Sequence, residues 1–368
     1  MSANLLKLQR NIQDILDRAV KEGTETAVQV AAYLRGMLIV DAWAAPAGRR
    51  IDGRSLFPIF STGKGIAATA IHRLVERGVL HWDDPIAKRW PAFAAHGKAG
   101  IALRHALNHT AGLPMLPAQG AMSDTARWDA MCDFLASSEP LHPAGARRHY
   151  HAVTYSWLVG EPARRADGRD FGEIVAQEVC SPLGLDGLCF GGPVSEAARC
   201  VDAERVTPPS LPPTSSPPPP PDPVAARAAP DWMMPLEDWI NRDDIRRACV
   251  PASNGFADAR SLARHYAALV GPGVDGVRLL REATVDAATR WDPVSDGGLP
   301  GAGRWALGYS MQGPDDAPGA VFGHGGYGGS IAFADRRCSL AVGYVRSRMG
   351  GSSALDEVLR TIRAQAGM

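Results

Sequence analysis

Strand-like segments stand at both ends of this 368-residue chain, with helical patterning between them. Near the N-terminus, Ala27–Ala44 (AVQVAAYLRGMLIVDAWA) holds two apolar runs around Arg35-Gly36, the pattern of a β-hairpin closed by a tight turn. Arg54–Phe60 is a further short extended run. Strand patterning then returns late, at Trp305–Met311, Ala320–His324, Ser330–Ala334 and Ser339–Val345. From about Asp83 to Pro251 the chain reads as helical pieces broken by Pro and Gly. Strands from distant ends can bury their apolar faces only by pairing with one another. The expected fold is therefore an α/β (α+β) sandwich: a mixed, mainly antiparallel sheet built from both chain ends and flanked by helices, with an inserted all-α lobe. Residues 1–82 and 251–368 would form the sheet domain, and 83–250 the helical one.

Three helices are legible on the sheet side. Leu5, Leu8, Ile12, Ile15, Leu16 and Ala19 make one stripe. Gly65–Arg77 has helical spacing and stops at Gly78, and a closing helix near Ser353 is striped by Leu355, Val358, Leu359 and Ile362. Thr207–Pro223 is proline-rich, which removes backbone donors and predicts an extended surface insertion. Pro162 inside a helical stretch predicts a kink.

Composition narrows the function. Lys plus Arg and Asp plus Glu number 39 each, so there is no cationic surplus to release counterions from nucleic acid. No apolar run approaches the ~20 residues that a membrane-spanning helix needs. Met1 leads directly into helical patterning without a secretory leader, which predicts a cytoplasmic product. The six cysteines lack a CxxC pair and read as reduced and buried rather than as a disulfide frame.

The sharpest chemical feature is Phe60-Ser61-Thr62-Gly63-Lys64, where a strand meets a helix. Ser61 and Lys64 are three residues apart and share a helix face, so an amine can reach the hydroxyl and take its proton. The helix N-terminus aims N–H groups at the same place and favours a developing oxyanion. The plain alternative is an N-cap serine with a solvated lysine one turn on. Other chemistries lack their patterns. There is no Gly-x-Ser-x-Gly elbow and no His-Glu-x-x-His. His105 and His109 have i,i+4 spacing but no third ligand nearby, and read as packing or capping residues. The glycines of Gly323–Gly329 precede a strand, unlike a phosphate loop. Nothing in the pattern calls for a cofactor or a metal.

With these residues in place, Phe60-Ser61-Thr62-Gly63-Lys64-Gly65 resembles the nucleophile motif of the serine β-lactamase and penicillin-binding-protein superfamily. It is most similar to the class C-like branch that holds carboxylesterases and acyl-transferring enzymes. Leu80–Ile86, the block Leu103–Pro114 (LRHALNHTAGLP), Tyr150-His151-Ala152 and Phe322–Gly326 follow in that branch's order, so the likeness spans roughly residues 25 to 365. The resemblance implies a β-lactamase/transpeptidase-like fold and a role for each matched position. Ser61 would be acylated, Lys64 would be its base, and Tyr150 would pass a proton to the leaving group. A lysine ammonium would depress the tyrosine's pKa, and the two would titrate together. The backbone N–H groups of Ser61 and Tyr327 would form the oxyanion hole, with Tyr327 on the strand after the glycines. His324, Gly325, Gly326 and Ala152 would line the substrate site. Ala152 replaces the asparagine of β-lactamases, and His324 replaces their lysine. Both changes favour neutral esters.

The implied activity is a serine hydrolase or acyl-transfer enzyme acting on a small-molecule acyl or ester substrate, within secondary metabolism by analogy. The alternatives are a β-lactamase or D,D-peptidase, and a catalytically silent binding protein of the same fold. The acyl group, its acceptor and the oligomeric state stay open at this level.

Overall fold

The structure is a computed structural model that describes residues 3–192, 198–206, 223–291, 293–294, 303–351 and 353–366. Its centre is a seven-stranded sheet: β1 (Val28–Leu34), β2 (Met37–Ala44), β3 (Arg304–Trp305), β4 (Ser310–Met311), β5 (Val321–Gly325), β6 (Ile331–Asp335) and β7 (Leu340–Arg346). Their order across the sheet is β2-β1-β7-β6-β5-β4-β3, with every neighbour antiparallel. The two chain ends meet where β1 pairs with β7, in the register Val28 to Arg346 through Leu34 to Leu340. Parallel pairing is confined to the margins, at Glu204–Arg205 against Arg348–Met349 and at a single bridge from Leu56 to Cys200.

The β1–β2 hairpin closes as its sequence predicts, because Arg35 and Gly36 both take positive φ (50° and 79°), as a two-residue turn matched to strand twist requires. Alternation then sorts the sheet's faces. Val28, Val30 and Ala32 of β1, with Leu340, Val342 and Tyr344 of β7, face α1 (Ala3–Lys21) and the C-terminal helix α5 (Leu355–Ala366). Ala31 and Tyr33, with Ala341 and Val345, face the larger core that holds α2 (Gly63–Glu76) and α4 (Ala259–Ala267). That core continues into the helical segment, where α3 (Tyr155–Asp167) buries Tyr155, Trp157, Leu158 and Val159. The sheet and the helical segment therefore share apolar packing.

Four expectations are corrected. The run Arg54–Phe60 yields only a two-residue strand at Phe57–Pro58, because Phe60 adopts φ 45° and starts a 3₁₀ turn. Trp305–Met311 is two short strands, since Gly308 (φ 85°) turns the chain between β3 and β4. The helical segment contains short strands, with Leu188–Cys189 pairing antiparallel to Phe256–Ala257. Tyr327 lies in a 3₁₀ turn between β5 and β6 rather than on a strand. Helix α3 runs through Pro162 to Asp167. The six cysteines are unbridged; Cys132 and Cys180 are buried and the other four half-buried. The proline-rich insertion lies, but for Pro223, outside the described residues. Among the described residues no helix is long and apolar enough to cross a membrane.

Candidate active site

Ser61 sits in the 3₁₀ turn Phe60–Thr62 that feeds α2. The left-handed conformation of Phe60 is costly for a residue with a bulky side chain, and its position beside a nucleophile candidate is where such strain tends to be kept. The turn is tied down by Ile59 N–H donating to Gly255 O (2.9 Å) and Thr62 N–H donating to Ile59 O (3.0 Å). Gly63 must be glycine: a Cβ there would stand 2.7 Å from both the Phe190 ring and the Pro251 carbonyl. The result is a half-buried Ser61 above a fully buried Lys64.

Lys64 is the centre of the arrangement. Its Nζ lies 3.1 Å from Ser61 Oγ, 2.7 Å from the Ala152 carbonyl and 2.9 Å from the Ala252 carbonyl. Burial pushes its pKa well below the ordinary lysine value, so the neutral amine is favoured. A neutral amine has two hydrogens and one lone pair, and carbonyls can only accept. Ala152 O and Ala252 O take both hydrogens, which leaves the lone pair for the Ser61 hydroxyl. Ser61 then donates to Lys64, the geometry a general base needs.

The two carbonyls are held in place by their own surroundings. The turn bearing Ala252 is fixed by Asn254, whose Oδ1 accepts from Val250 N–H (2.8 Å) while its Nδ2 donates to Ile245 O and Ala248 O (2.7 and 2.6 Å). Ser156 Oγ accepts from Ala252 N–H (3.0 Å). Ala152 also receives Ser253 Oγ (3.2 Å) on its carbonyl, so this residue contributes a backbone acceptor beneath the site.

Tyr150 reaches the same point from the helical side, its ring centroid 4.8 Å from Lys64 Nζ. Burial raises its phenol pKa, and a hydrogen bond with Ser61 opposes the rise. Desolvation moves both groups toward their neutral forms, the amine down and the phenol up, opposite to the lowered tyrosine pKa expected of an ammonium–tyrosinate pair. The other local tyrosine, Tyr155, is wholly buried in α3 and its hydroxyl faces the Lys64 carbonyl at 3.4 Å.

His324, next to last in β5, has its ring 6.2 Å from that of Tyr150 and 5.1 Å from that of Trp305. Its Nδ1 lies 2.6 Å from the Gly325 carbonyl, which fixes Nδ1 as the protonated nitrogen. Burial and the proximity of Lys64 lower its pKa to about 3, so it is neutral at physiological pH. Gly325 is exposed, and a Cβ there would meet only the Ser330 carbonyl at 3.9 Å, which leaves open space on that side. Gly326 is the opposite case: a Cβ would stand 2.3 Å from the Ile59 carbonyl. Its bareness lets the turn with the Tyr327 N–H close against the Ser61 turn, where the Phe60 and Tyr327 rings meet edge to face at 5.4 Å. Among the described residues neither the Ser61 nor the Tyr327 N–H donates to a backbone carbonyl.

Sequence reasoning missed three contributors. Ala252 acts through its carbonyl, which no residue type advertises. Trp305 is a half-buried wall, its ring 5.3 Å from that of Tyr150. His109 is the packing residue its spacing predicts, but its place against the Tyr150 ring (4.7 Å) was not legible; its Nδ1 accepts from His151 N–H (3.2 Å). His105 Nδ1 accepts from Ala102 N–H (3.0 Å) at a helix start, so each histidine spends a nitrogen on backbone.

The beta-lactamase family profile matches residues 12–366. The chain belongs to the beta-lactamase family. Within it, the chain is 34% identical over 343 residues to the esterase/beta-lactamase LipL of Mycobacterium tuberculosis, covering 87% of this chain and 76% of that protein. Among solved structures it is similar to a penicillin-binding protein homolog from Caulobacter crescentus, with a TM-score of 0.83, 32% identity and 97% of each chain covered. A family VIII carboxylesterase structure gives a TM-score of 0.83 at 27% identity, again over 97% of both chains. The β-lactamase/transpeptidase-like fold expected from the ordered motifs is therefore the fold of this chain.

Proposed function

We propose that this beta-lactamase family member is a serine hydrolase that cleaves or transfers acyl groups of neutral esters through an acyl-Ser61 intermediate. The observation that carries the reading is the position of the buried Lys64 Nζ, 3.1 Å from Ser61 Oγ and held by the Ala152 and Ala252 carbonyls at 2.7 and 2.9 Å.

The steps balance. Lys64 Nζ takes the Ser61 proton as Oγ attacks the acyl carbonyl, and the tetrahedral oxyanion is met by the Ser61 and Tyr327 N–H groups. As the intermediate collapses, the Tyr150 phenol protonates the leaving alcohol, and the resulting tyrosinate recovers its proton from the Lys64 ammonium. The charged pair that burial disfavours at rest thus exists only in passing. Deacylation runs in reverse: the Tyr150 phenol passes its proton to Lys64 as it takes one from the attacking water or alcohol, and the Lys64 ammonium returns a proton to Ser61 Oγ as the tetrahedral intermediate collapses.

The preference for neutral esters is supported by His324, which offers no positive charge to a substrate carboxylate at neutral pH. Relatives named esterase and carboxylesterase point the same way. The test is intact mass after incubation with p-nitrophenyl butyrate and, separately, with a penicillin. An acyl adduct from the ester, absent in Ser61→Ala, is the expected result. An adduct from penicillin alone would transfer the assignment to β-lactam or peptide substrates.

A further inference from the structure

The turn that presents the Tyr327 N–H is gripped from behind by a buried ion pair. Arg346, the last residue of β7, and Glu25, just before β1, are each about 1% exposed. Arg346 Nε donates to Glu25 Oε2 (2.7 Å), and Nη2 donates to the Thr24 carbonyl (3.0 Å). Glu25 Oε1 accepts from the Tyr344 hydroxyl (2.6 Å) and from Ala354 N–H (3.4 Å), so the carboxylate is locked in turn. With the guanidinium fixed on that side, Nη1 reaches the carbonyls of Gly328 (3.3 Å) and Gly350 (3.2 Å).

Gly328 is the middle of the turn Tyr327–Gly329. Gly328 and Gly329 both have positive φ (84° and 104°), so nothing intrinsic to their backbones holds the turn in one shape. What holds it is contact. The Gly328 carbonyl receives Arg346 and the Gly350 N–H (3.2 Å), and a Cβ on Gly328 would stand 2.1 Å from Met349 Sδ. Downstream, Gly329 N–H donates to the Gly326 carbonyl (3.1 Å). That carbonyl belongs to the same planar peptide as the Tyr327 N–H, and in a trans peptide the two point in opposite directions. Fixing Gly328 and Gly329 therefore fixes where the Tyr327 N–H points.

Stability alone does not account for the pair. Desolvating two charges is expensive, and an apolar replacement is often equally stable. We propose that Arg346, braced by Glu25, is a positioning residue that aims the Tyr327 N–H at the oxyanion of the acyl-transfer reaction. The proposal rests on the reading of Tyr327 as an oxyanion-hole donor.

The test uses the full chain. Arg346→Lys keeps a cation for Glu25 but loses the planar fork that serves Glu25 and the Gly328 carbonyl together. Glu25→Gln is isosteric, leaves Arg346 in place, and provides a second route if the first variant folds poorly. Melting curves set an assay temperature at which each protein is folded. Kinetics with p-nitrophenyl butyrate are then paired with the affinity for an aryl boronic acid, whose Ser61 adduct is tetrahedral and places an oxygen in the hole. Deleting one oxyanion donor outright costs about 10²–10³ in rate, so misaiming one should lower kcat by about 10- to 30-fold, with KM within about twofold. Boronate affinity should fall by the same factor as kcat. A purely structural pair would lower the melting temperature and leave both quantities within about twofold of wild type, which overturns the proposal. Wild-type protein that forms no Ser61 adduct sinks the acyl-transfer reading and this one together. Wild-type acylation matched by both folded variants sinks only the clamp.

Discussion

Replacing Lys64 by methionine separates the two things its burial does. The side chain keeps its length and loses its amine, so Ser61 loses the base 3.1 Å away. Loss of a general base costs about 10²–10⁴ in rate, or about 3–5 kcal/mol of transition-state stabilisation. Stability responds in two opposed ways. The Ala152 carbonyl keeps Ser253 as a donor, whereas the Ala252 carbonyl loses the amine, a cost of about 1–3 kcal/mol for a buried acceptor. Against this, the wild type must shed a proton on folding, because burial depresses the lysine pKa in the folded state only. Between that depressed value and the unfolded value of about 10.4, the unfolded chain binds one proton more, so wild-type stability rises with pH through this window. The variant lacks the group and lacks the slope. Burst-phase release of p-nitrophenol measures acylation, and differential scanning calorimetry from pH 6 to 10 measures stability. Wild type minus variant should grow more favourable with rising pH. Acylation retained within about tenfold, or a stability difference that is flat with pH, would refute the neutral-amine argument.

Three further outcomes are expected. Tyr150→Phe should lower kcat for alkyl esters with poor leaving groups by about 10²-fold or more, and far less for p-nitrophenyl esters, whose leaving group needs no proton; equal losses on both would remove the proton-donor role. The kcat/KM profile should show no limb between pH 5 and 8 that His324→Gln abolishes, because burial holds that imidazole near a pKa of about 3 and hence neutral throughout the range. Gly326→Ala places a methyl 2.3 Å from the Ile59 carbonyl and should force the Tyr327 turn away from Ser61, lowering kcat at least about tenfold with little change in KM; wild-type kcat would show that the turn does not serve the oxyanion.

Much of the architecture was legible because its causes are local. The Arg35-Gly36 turn, the stripe of α1 and the strand periodicity near both ends each follow from a few neighbouring residues. The pairing of Ser61 with Lys64 was legible for the same reason, since three helical residues bring two side chains to one face. Tyr150 came from the order of motifs and not from any local pattern. Expectations failed where a single backbone angle decided the outcome. Phe60 and Gly308 cut short runs whose apolar patterning read as continuous strands, and Tyr327 fell in a turn because of two glycines after it.

The candidate groups themselves, a hydroxyl, an amine, a phenol and a glycine-rich turn, were thus readable from residue order alone. Their burial, their neighbours and their aim come from the fold. Lys64 is buried, and its amine is held by two carbonyls from chain 88 and 188 residues further on. Burial likewise raises the Tyr150 pKa, and the guanidinium behind the Tyr327 turn is held by Glu25, 321 residues from Arg346 in sequence. Proton affinity and direction depend on everything within a few ångströms, and such neighbourhoods are assembled from segments that share no local pattern.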